Sequence, residues 1–281
     1  MLFLLILFII LLTLGGLIWL ADRRLQQQAH DEARMLLNSA VQFPEPAVFR
    51  HSDLADLPQP VQRYLRRSVP DGSPLIRTVY LRQTGQMSPG GGDQWLPFQA
   101  TQYFCTQPAG FVWLARARLL FLLWIAARDK YINGHGNMLI KPASLLTMAD
   151  ESGPSMDQGA LARYLAETMW FPTALLPNDN LHWRAVDDHA AAATYRDQYS
   201  EATLTFTFND LGDLIQVEGL RLRDQDAQPL PWGGKVLAYD TFAGVRVPSQ
   251  VEVYWHAPDE GYQPYFRGTI TEVAYNNPDL T

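Results

Sequence analysis

The chain has 281 residues, of which 47% are hydrophobic, 12% are aromatic and 18% are charged, so it is not an intrinsically disordered protein. Its net charge of -7 argues against a nucleic-acid-binding protein, because phosphate binding needs a basic surface. The single cysteine, Cys105, excludes an intramolecular disulfide, and its apolar neighbours predict a small buried packing residue.

The first 21 residues carry no charged side chain and predict a transmembrane helix. At a rise of about 1.5 Å per residue, a helix of this length matches a hydrocarbon core about 30 Å thick. A cleaved signal peptide is the competing interpretation. It would have a basic start, a shorter apolar region and a small-x-small cleavage site, and none of these is visible. We therefore predict an uncleaved single-pass anchor over residues 1–21 in the cell (inner) membrane.

The arginines that flank this span bear on its orientation. No Lys or Arg precedes the span, whereas Arg23, Arg24 and Arg34 follow it closely. The positive-inside rule therefore favours a cytoplasmic location for the rest of the chain.

Residues 22–56 predict a helical stalk or linker that continues out of the membrane. An apolar stripe recurs at helical spacing, and Pro44 and Pro46 predict its end. The stripe either packs on the body of the domain or forms a dimeric coiled coil, for which two heptads are short. Its residues are Leu25, Ala29, Ala33, Leu36, Leu37, Ala40 and Val41.

Residues 57–281 predict a β-rich domain that begins with one short helix in LPQPVQRYL. From Leu75 onward the pattern alternates with a period of two. TLTFTF is the clearest strand, with Leu204, Phe206 and Phe208 on one face and threonines on the other. Short turns such as NDLGD join successive strands. The pattern predicts a mainly β (α+β) fold that contains an antiparallel meander.

The stretch WLARARLLFLLWIAARD, from Trp113 to Asp129, has the apolar content of a second span but contains three arginines. Each arginine near the middle of a span costs about 2.5–3.5 kcal/mol, so Arg116 and Arg118 together cost roughly 5–7 kcal/mol. With a period of two, the arginines fall on one face and the apolar residues on the other. We predict two strands that turn near Leu119. The apolar face comprises Phe111, Trp113, Ala115, Ala117, Leu119, Phe121 and Leu123.

One helix is predicted among the strands, in SMDQGALARYLAETMWFP. Either Ser155 or Asp157 is expected to be its N-cap. Arg163 and Glu167 are four residues apart, so we expect a helix-surface ion pair worth about 0.2–0.5 kcal/mol that ties the helix to the sheet. A buried Glu167 with a raised pKa would instead be a candidate acid.

A polar block, RDKYINGHGNM, contains Asp129, Tyr131 and His135 near a Gly-His-Gly turn. Such a loop could serve a catalytic site, but we favour an ordinary hairpin turn with an exposed histidine. No metal site is predicted, because no two histidines stand at metal-ligand helical spacing. The densest cluster, around His182 and His189, is interpreted as a polar turn.

Seven blocks in order give the chain a specific resemblance, covering Leu57 to Asn276. They are LPQPVQRYL, VYLRQTGQM, WLPFQATQYF, FVWLARARL, RDKYINGHGNM, RYLAETMWFPTALLP and FAGVRVPSQVEVYW. Together they resemble the bacterial DUF6544 family, which implies no particular activity. The family's pattern is similar to the LolA/LolB-like fold, a half-open barrel that holds acyl chains beneath helices. The resemblance implies an antiparallel half-open barrel-like sheet with a few helices after the span. It also implies a periplasmic domain, against the charge rule.

Three functions remain open. The leading hypothesis is a membrane-anchored, non-enzymatic domain that binds an apolar ligand such as lipid. A structural or partner-binding envelope protein with a filled core is the alternative. A hydrolase is third, because the sequence has no Gly-x-Ser-x-Gly elbow or Ser-x-x-Lys motif. No cofactor is predicted, and the sequence does not indicate an oligomeric state. The candidate ligand-pocket residues are Phe111, Trp113, Phe121, Phe206, Phe208 and Trp255, and the candidate polar-site residues are Asp129, Tyr131, His135, Arg163 and Glu167.

Overall fold

The computed structural model describes residues 1–40, 47–89, 92–120, 123–222, 229–257 and 261–276. Within these ranges the chain forms three α-helices: α1 (Leu2–Asn38), α2 (Gln59–Ser68) and α3 (Pro154–Glu167). Short 3-10 helices cover His51–Leu54, Thr168–Trp170 and Pro172–Leu175. The predicted helix end at Pro44 and Pro46, and the candidate Phe121, lie outside the described residues.

Thirteen strands make up the rest of the described fold. In chain order they are β1 (Thr78–Met87), β2 (Leu96–Cys105), β3 (Gly110–Leu120), β4 (Leu123–Ile132), β5 (His135–Pro142), β6 (Ala149–Ser152), β7 (Leu181–Ala185), β8 (Ala190–Arg196), β9 (Glu201–Phe208), β10 (Leu214–Arg221), β11 (Leu230–Phe242), β12 (Val245–Ala257) and β13 (Gly261–Tyr275).

The strands form one antiparallel sheet that is open rather than closed into a barrel. Its order is β6-β5-β4-β3-β2-β1-β13-β12-β11-β10-β9-β8-β7, so two meanders run outward from the central β1–β13 pair. The predicted mainly β fold with an antiparallel, half-open sheet is confirmed. The two strands predicted for Trp113–Asp129 are confirmed as well, because β3 and β4 pair from Phe111 opposite Tyr131 to Leu120 opposite Leu123, with one register shift between Arg118 and Leu120.

The helix α3 lies across the inner face of the sheet and joins its two arms. Its Arg163 reaches Asp129 on β4, and its Tyr164 ring lies 5.9 Å from the Tyr195 ring on β8. Gly136 on β5 lets α3 approach closely, because a Cβ there would lie 2.6 Å from the Met156 carbonyl oxygen. The inner face is thereby covered by a helix.

The predicted N-caps of α3 are wrong. The helix begins at Pro154 with Gly153 as its N-cap, and no side chain caps it. Proline suits the first turn because its missing N–H would have no intrahelical partner. Asp157 lies inside the first turn and accepts a hydrogen bond from the Gly136 amide instead, at 2.7 Å. Tertiary contact with β5 therefore replaces the expected local cap.

The C-terminal half of α1 packs on the outer face of the sheet, as the stalk interpretation predicted. The described members of its stripe that are buried are Leu25, Ala29, Ala33 and Leu36. They pack in two small clusters against Cys105, Val112, Ala126 and Leu139. Gly110 permits close contact at one end, because a Cβ there would meet the Leu36 side chain at 2.6 Å. The stripe is thus covered by the protein's own sheet.

Candidate functional site

The five aromatic ligand-pocket candidates that the structure describes lie in or against one hydrophobic core. Phe111, Phe206 and Phe208 are exposed by 2% or less, and Trp113 by 5%. Trp255 is half-buried and packs against the same core cluster. The inner face of the sheet is filled at these described side chains. Their contact with a ligand therefore stays a prediction.

The predicted apolar face of the β3–β4 pair is only partly buried. Ala115 and Ala117 are buried with Phe111 and Trp113. Leu119 and Leu123, which were expected on the same inward face, are exposed. They lie at the turn, beyond the part of the hairpin that the core covers.

We expect Phe206→Trp to lower the free energy of unfolding by about 1–3 kcal/mol, because added bulk strains a filled core. Phe206 is fully buried, and its ring meets the Trp183 ring at 5.2 Å in an edge-on arrangement. Urea denaturation measures the loss. Phe242→Trp, at a half-buried hairpin end, is the control and should cost less. A neutral Phe206→Trp would indicate an interior with room to spare.

Three polar candidates meet at α3, where Arg163 lies between two carboxylates. Its Nη1 is 2.6 Å from Asp129 Oδ2, and its Nε is 2.9 Å from Glu167 Oε1. The guanidinium carbon is 4.9 Å from the ring centres of both Phe111 and Trp113. The expected Arg163–Glu167 pair is therefore present, but its predicted location on the helix surface is wrong. Both side chains are largely buried, because α3 turns this face onto the sheet.

A line of hydrogen bonds leads from Trp113 to Glu167 and was not predicted. The Trp113 indole donates to Gln83 Oε1 at 3.1 Å. Gln83 Nε2 donates to Gln102 Oε1 at 3.1 Å, and Gln102 Nε2 donates to Glu167 Oε2 at 2.7 Å. An indole can only donate, so it fixes the orientation of both amides in turn. Every donor in the line points toward Glu167 and suits its ionised form.

Burial dominates the electrostatics of this group, which we call the Arg163 network (Gln83, Gln102, Trp113, Asp129, Arg163 and Glu167). Burial raises the pKa of Glu167, although Arg163 and Gln102 act in the opposite direction. Burial alone would lower the pKa of Arg163, but the carboxylates of Glu167 and Asp129 outweigh it and raise that pKa. Both Glu167 oxygens already accept hydrogen bonds. The arrangement suits holding α3 on the sheet better than proton transfer to a substrate.

The remaining polar candidates, Tyr131 and His135, lie in separate contacts. Tyr131 donates its hydroxyl hydrogen bond to Asp197, and burial, followed by this contact, raises its pKa. His135 Nδ1 lies 3.4 Å from Asp157 Oδ2, and its ring lies 4.6 Å from the Tyr199 ring. The histidine side chain is largely exposed. The structure therefore divides the five candidates instead of bringing them into one site. Across the described segments, no group of three His, Cys, Asp or Glu residues is placed to hold a metal ion.

A cavity of about 560 Å³ lies between α1 and the outer face of the sheet, and the sequence did not predict it. Its apolar walls come from α1, β3 and β4, and its polar lining comes largely from the outer faces of β1 and β2. We call it the α1 cavity. Its apolar lining residues include Leu25, Ala29, Val112, Leu114 and Ala126, and its polar ones include Gln26, His30, Arg82, Gln99, Thr101 and Arg116.

Ion pairs hold α1 to the sheet at both ends of this cavity. At one end, Asp22 pairs with Arg116 and accepts a hydrogen bond from the Ser144 hydroxyl at 2.7 Å. At the other, Glu32 Oε1 is 2.8 Å from Lys130 Nζ. Glu32 Oε2 is 3.2 Å from Arg128 Nε, close enough for an ion pair but not aligned for a hydrogen bond. The signal for this cavity in the sequence is the pattern of small and polar residues on the outward faces of the strands, whereas the predicted pocket residues belong to the inward faces.

Comparison with known proteins places the chain in a family. No curated protein matches it. The structure is similar to that of a DUF1329 family protein from Desulfovibrio piger, with 12% identity and a TM-score of 0.41, over 78% of this chain and 94% of that one. A LolA superfamily protein from Nitrosomonas europaea has 8% identity and a TM-score of 0.35, over 80% of this chain and 96% of that one. The profile of DUF6544, a family of unknown function, matches residues 47–268. The predicted family resemblance is confirmed, and the chain belongs to the DUF6544 family.

Proposed function

We propose that this protein is a single-pass membrane protein whose β-rich domain binds an amphipathic, lipid-like molecule in the α1 cavity. The main observation that supports this proposal is the position of that cavity. It lies under α1 from Asp22 to His30, directly after the uncharged part of the helix.

The membrane anchor is supported by α1 itself. Within the described residues, α1 is the one helix long and apolar enough to cross a membrane, and none of its apolar part is buried by the protein. A signal sequence would satisfy the same criteria. The proposal that this segment is retained, and not cleaved as a signal sequence, is supported by the continuity of the helix. It runs from Leu2 to Asn38 and docks its second half on the sheet.

The ligand class follows from the cavity's size and lining. A volume of about 560 Å³ lies within the range of roughly 300–1,000 Å³ found for small-molecule sites. Its apolar walls suit a hydrocarbon chain. Its arginines are already paired, Arg82 with Glu272 at 3.4 Å and Arg116 with Asp22. Hydrogen-bonding groups such as Gln99 and Thr101 are left to face a polar head, so we propose an acyl lipid without a requirement for strong negative charge.

A photoreactive fatty acid tests this proposal in membranes that contain the full-length protein. After illumination, mass spectrometry maps the labelled peptides. We expect label on residues 2–20, which reports the anchor, and separately on the cavity walls at Ala29, Val112 or Leu114. Leu114→Trp should fill the cavity and remove most of the second label only. Leu237→Trp, an exposed leucine on β11, is the matched control. Equal cavity labelling in both variants would contradict the ligand proposal, and unlabelled residues 2–20 would contradict the anchor.

A structural or partner-binding domain is the second candidate. The filled inner face favours it, because Phe111, Phe206 and Phe208 leave no room among themselves for a ligand. In that case residues 2–20 would be labelled and the cavity walls would not. The same experiment therefore separates the two functions.

A further inference from the structure

The turn end of the β3–β4 hairpin presents an apolar surface. Leu119 and Leu123 are exposed by 41% and 48%, and Leu146, in the neighbouring connection from β5 to β6, by 67%. We call these three residues the hairpin tip. The sequence carries no charge from Leu119 to Ala127. Exposed leucines that lie together in this way mark a contact surface.

The contacts of α1 place the hairpin tip on the side of the uncharged helix. Near the C-terminal end of α1, Leu36 packs at Gly110. Further toward the N-terminus, Ala29 and Ala33 cluster with Val112. Further still, Asp22 pairs with Arg116. Moving toward the N-terminus of α1 therefore means moving along β3 toward Leu119. Leu146 lies at the same end, because the nearby Ser144 hydroxyl donates to Asp22.

Both α1 and the β3–β4 hairpin carry an arginine–tryptophan pair at the height of the Asp22–Arg116 ion pair. On α1, the Arg23 guanidinium lies 5.4 Å from the Trp19 ring centre, one turn from Asp22. On the hairpin, the Arg116 guanidinium lies 4.6 Å from the Trp124 ring centre. Tryptophan and arginine are typical of the membrane–water interface, where the ring and the charge both reach polar surroundings. Beyond this level, both elements expose only apolar side chains among the described residues up to the turn, apart from Arg118 and Thr13.

We propose that the hairpin tip inserts into the lipid bilayer beside the N-terminal helix, as a second membrane contact that does not cross. This inference rests on the proposed membrane anchor. Leu119 is three residues past Arg116, which carries it about 10 Å further along the strand. If Arg116 and Asp22 lie among the head groups, that distance brings Leu119 and Leu123 to the edge of the hydrocarbon core. The exposed Arg118 extends back to the head groups.

Site-directed fluorescence tests this placement in the full-length protein. Cys105 is buried, and its burial raises the pKa of the thiol to about 11, so it is replaced by alanine to give a background without cysteine. Single cysteines at Leu7, Leu119, Leu123 and Leu211 are labelled with nitrobenzoxadiazole. The proteins are reconstituted in vesicles of phosphatidylethanolamine and phosphatidylglycerol, with and without acyl-chain nitroxide lipid. Leu211 is exposed in the β9–β10 turn and is the aqueous control.

We expect blue-shifted emission and strong nitroxide quenching at Leu7, Leu119 and Leu123, and neither effect at Leu211. If Leu7 is quenched but Leu119 and Leu123 behave like Leu211, the inference is wrong and the anchor stands. If Leu119 and Leu123 are blue-shifted but not quenched, a protein partner or second copy covers the tip, and the inference is again wrong. An unquenched Leu7 overturns the anchor and the inference with it. Circular dichroism of each variant confirms that it is folded.

Discussion

Replacing Arg163 with methionine is expected to lower the free energy of unfolding by about 3–5 kcal/mol, because it leaves buried carboxylates without their cation. Arg163 contacts Asp129 and Glu167 at 2.6 Å and 2.9 Å, and both carboxylates are largely shielded from water. Methionine retains the packing between Phe111 and Trp113, so the loss reports charge. Urea denaturation at neutral pH measures it. Arg196→Met, which removes an exposed partner of Glu201, is the control and should cost at most about 1 kcal/mol.

The pH dependence gives this prediction a second test. The folded-state pKa of Glu167 is raised by burial, so the folded state holds its proton more tightly than the unfolded state. The resulting contribution to stability is fully present below the ordinary glutamate pKa and is lost as the pH rises through the folded value. Removing Arg163 raises that value further. The deficit of Arg163→Met should therefore shrink in acid.

A triple variant separates a charge effect from a packing effect. Asp129→Leu, Arg163→Met and Glu167→Leu together remove all three charges, and should recover most of the stability that Arg163→Met alone loses. A triple variant less stable than the single one would mean that the network contributes through geometry rather than charge balance. An Arg163→Met variant as stable as the wild type would contradict the assignment of Arg163 as the central cation.

Local periodicity predicted well which residues form strands, but predicted poorly which ends of those strands are buried. The β3–β4 hairpin followed from alternation, because Arg116 and Arg118 cannot share a face with Trp113 and Ala115. The same alternation placed Leu119 and Leu123 inward. They are outside the core because burial depends on what covers the turn end of the sheet, and α3 lies elsewhere. Which part of a strand is covered is a tertiary property that a period of two does not contain.

In the Arg163 network, too, the local contact was predictable from the sequence and the long-range contacts were not. Arg163 and Glu167 were paired from their spacing on a helix, which is local. Asp129 is 34 residues from Arg163, and Gln83 and Gln102 come from strands with no distinguishing pattern. Their meeting depends on the sheet order. The α1 cavity was missed for a related reason, because it lies on the outward face of the sheet. The stalk helix covers that face through its buried apolar stripe together with the ion pairs at Asp22 and Glu32.

Glu32→Gln is expected to weaken the docking of the second half of α1 on the sheet while the sheet itself stays folded. The stripe that docks α1 includes two buried leucines, each of which contributes about 1.5–3 kcal/mol. Glu32 is expected to make a contribution of similar size, because its partner Arg128 has a side chain only 3% exposed. Leaving that guanidinium without its counter-charge costs about 3–5 kcal/mol.

Because every 1.4 kcal/mol is a tenfold change in an equilibrium constant, such a cost accelerates hydrogen exchange in a locally opening helix about a hundredfold or more. Amides from Leu25 to Leu36, measured in detergent micelles, should show this increase, while amides in β9 and β12 keep their protection. Asp31→Asn is the matched control, since it removes the same charge from the exposed neighbouring position. Equal acceleration throughout the sheet would mean that α1 and the sheet unfold as one unit. Unchanged exchange would mean that Arg128, which also donates to the Asn137 carbonyl oxygen at 3.0 Å, is adequately paired without Glu32. Because α1 forms one wall of the α1 cavity, weaker docking in Glu32→Gln should also reduce fatty-acid labelling at Val112 and Leu114 and leave labelling of residues 2–20 unchanged.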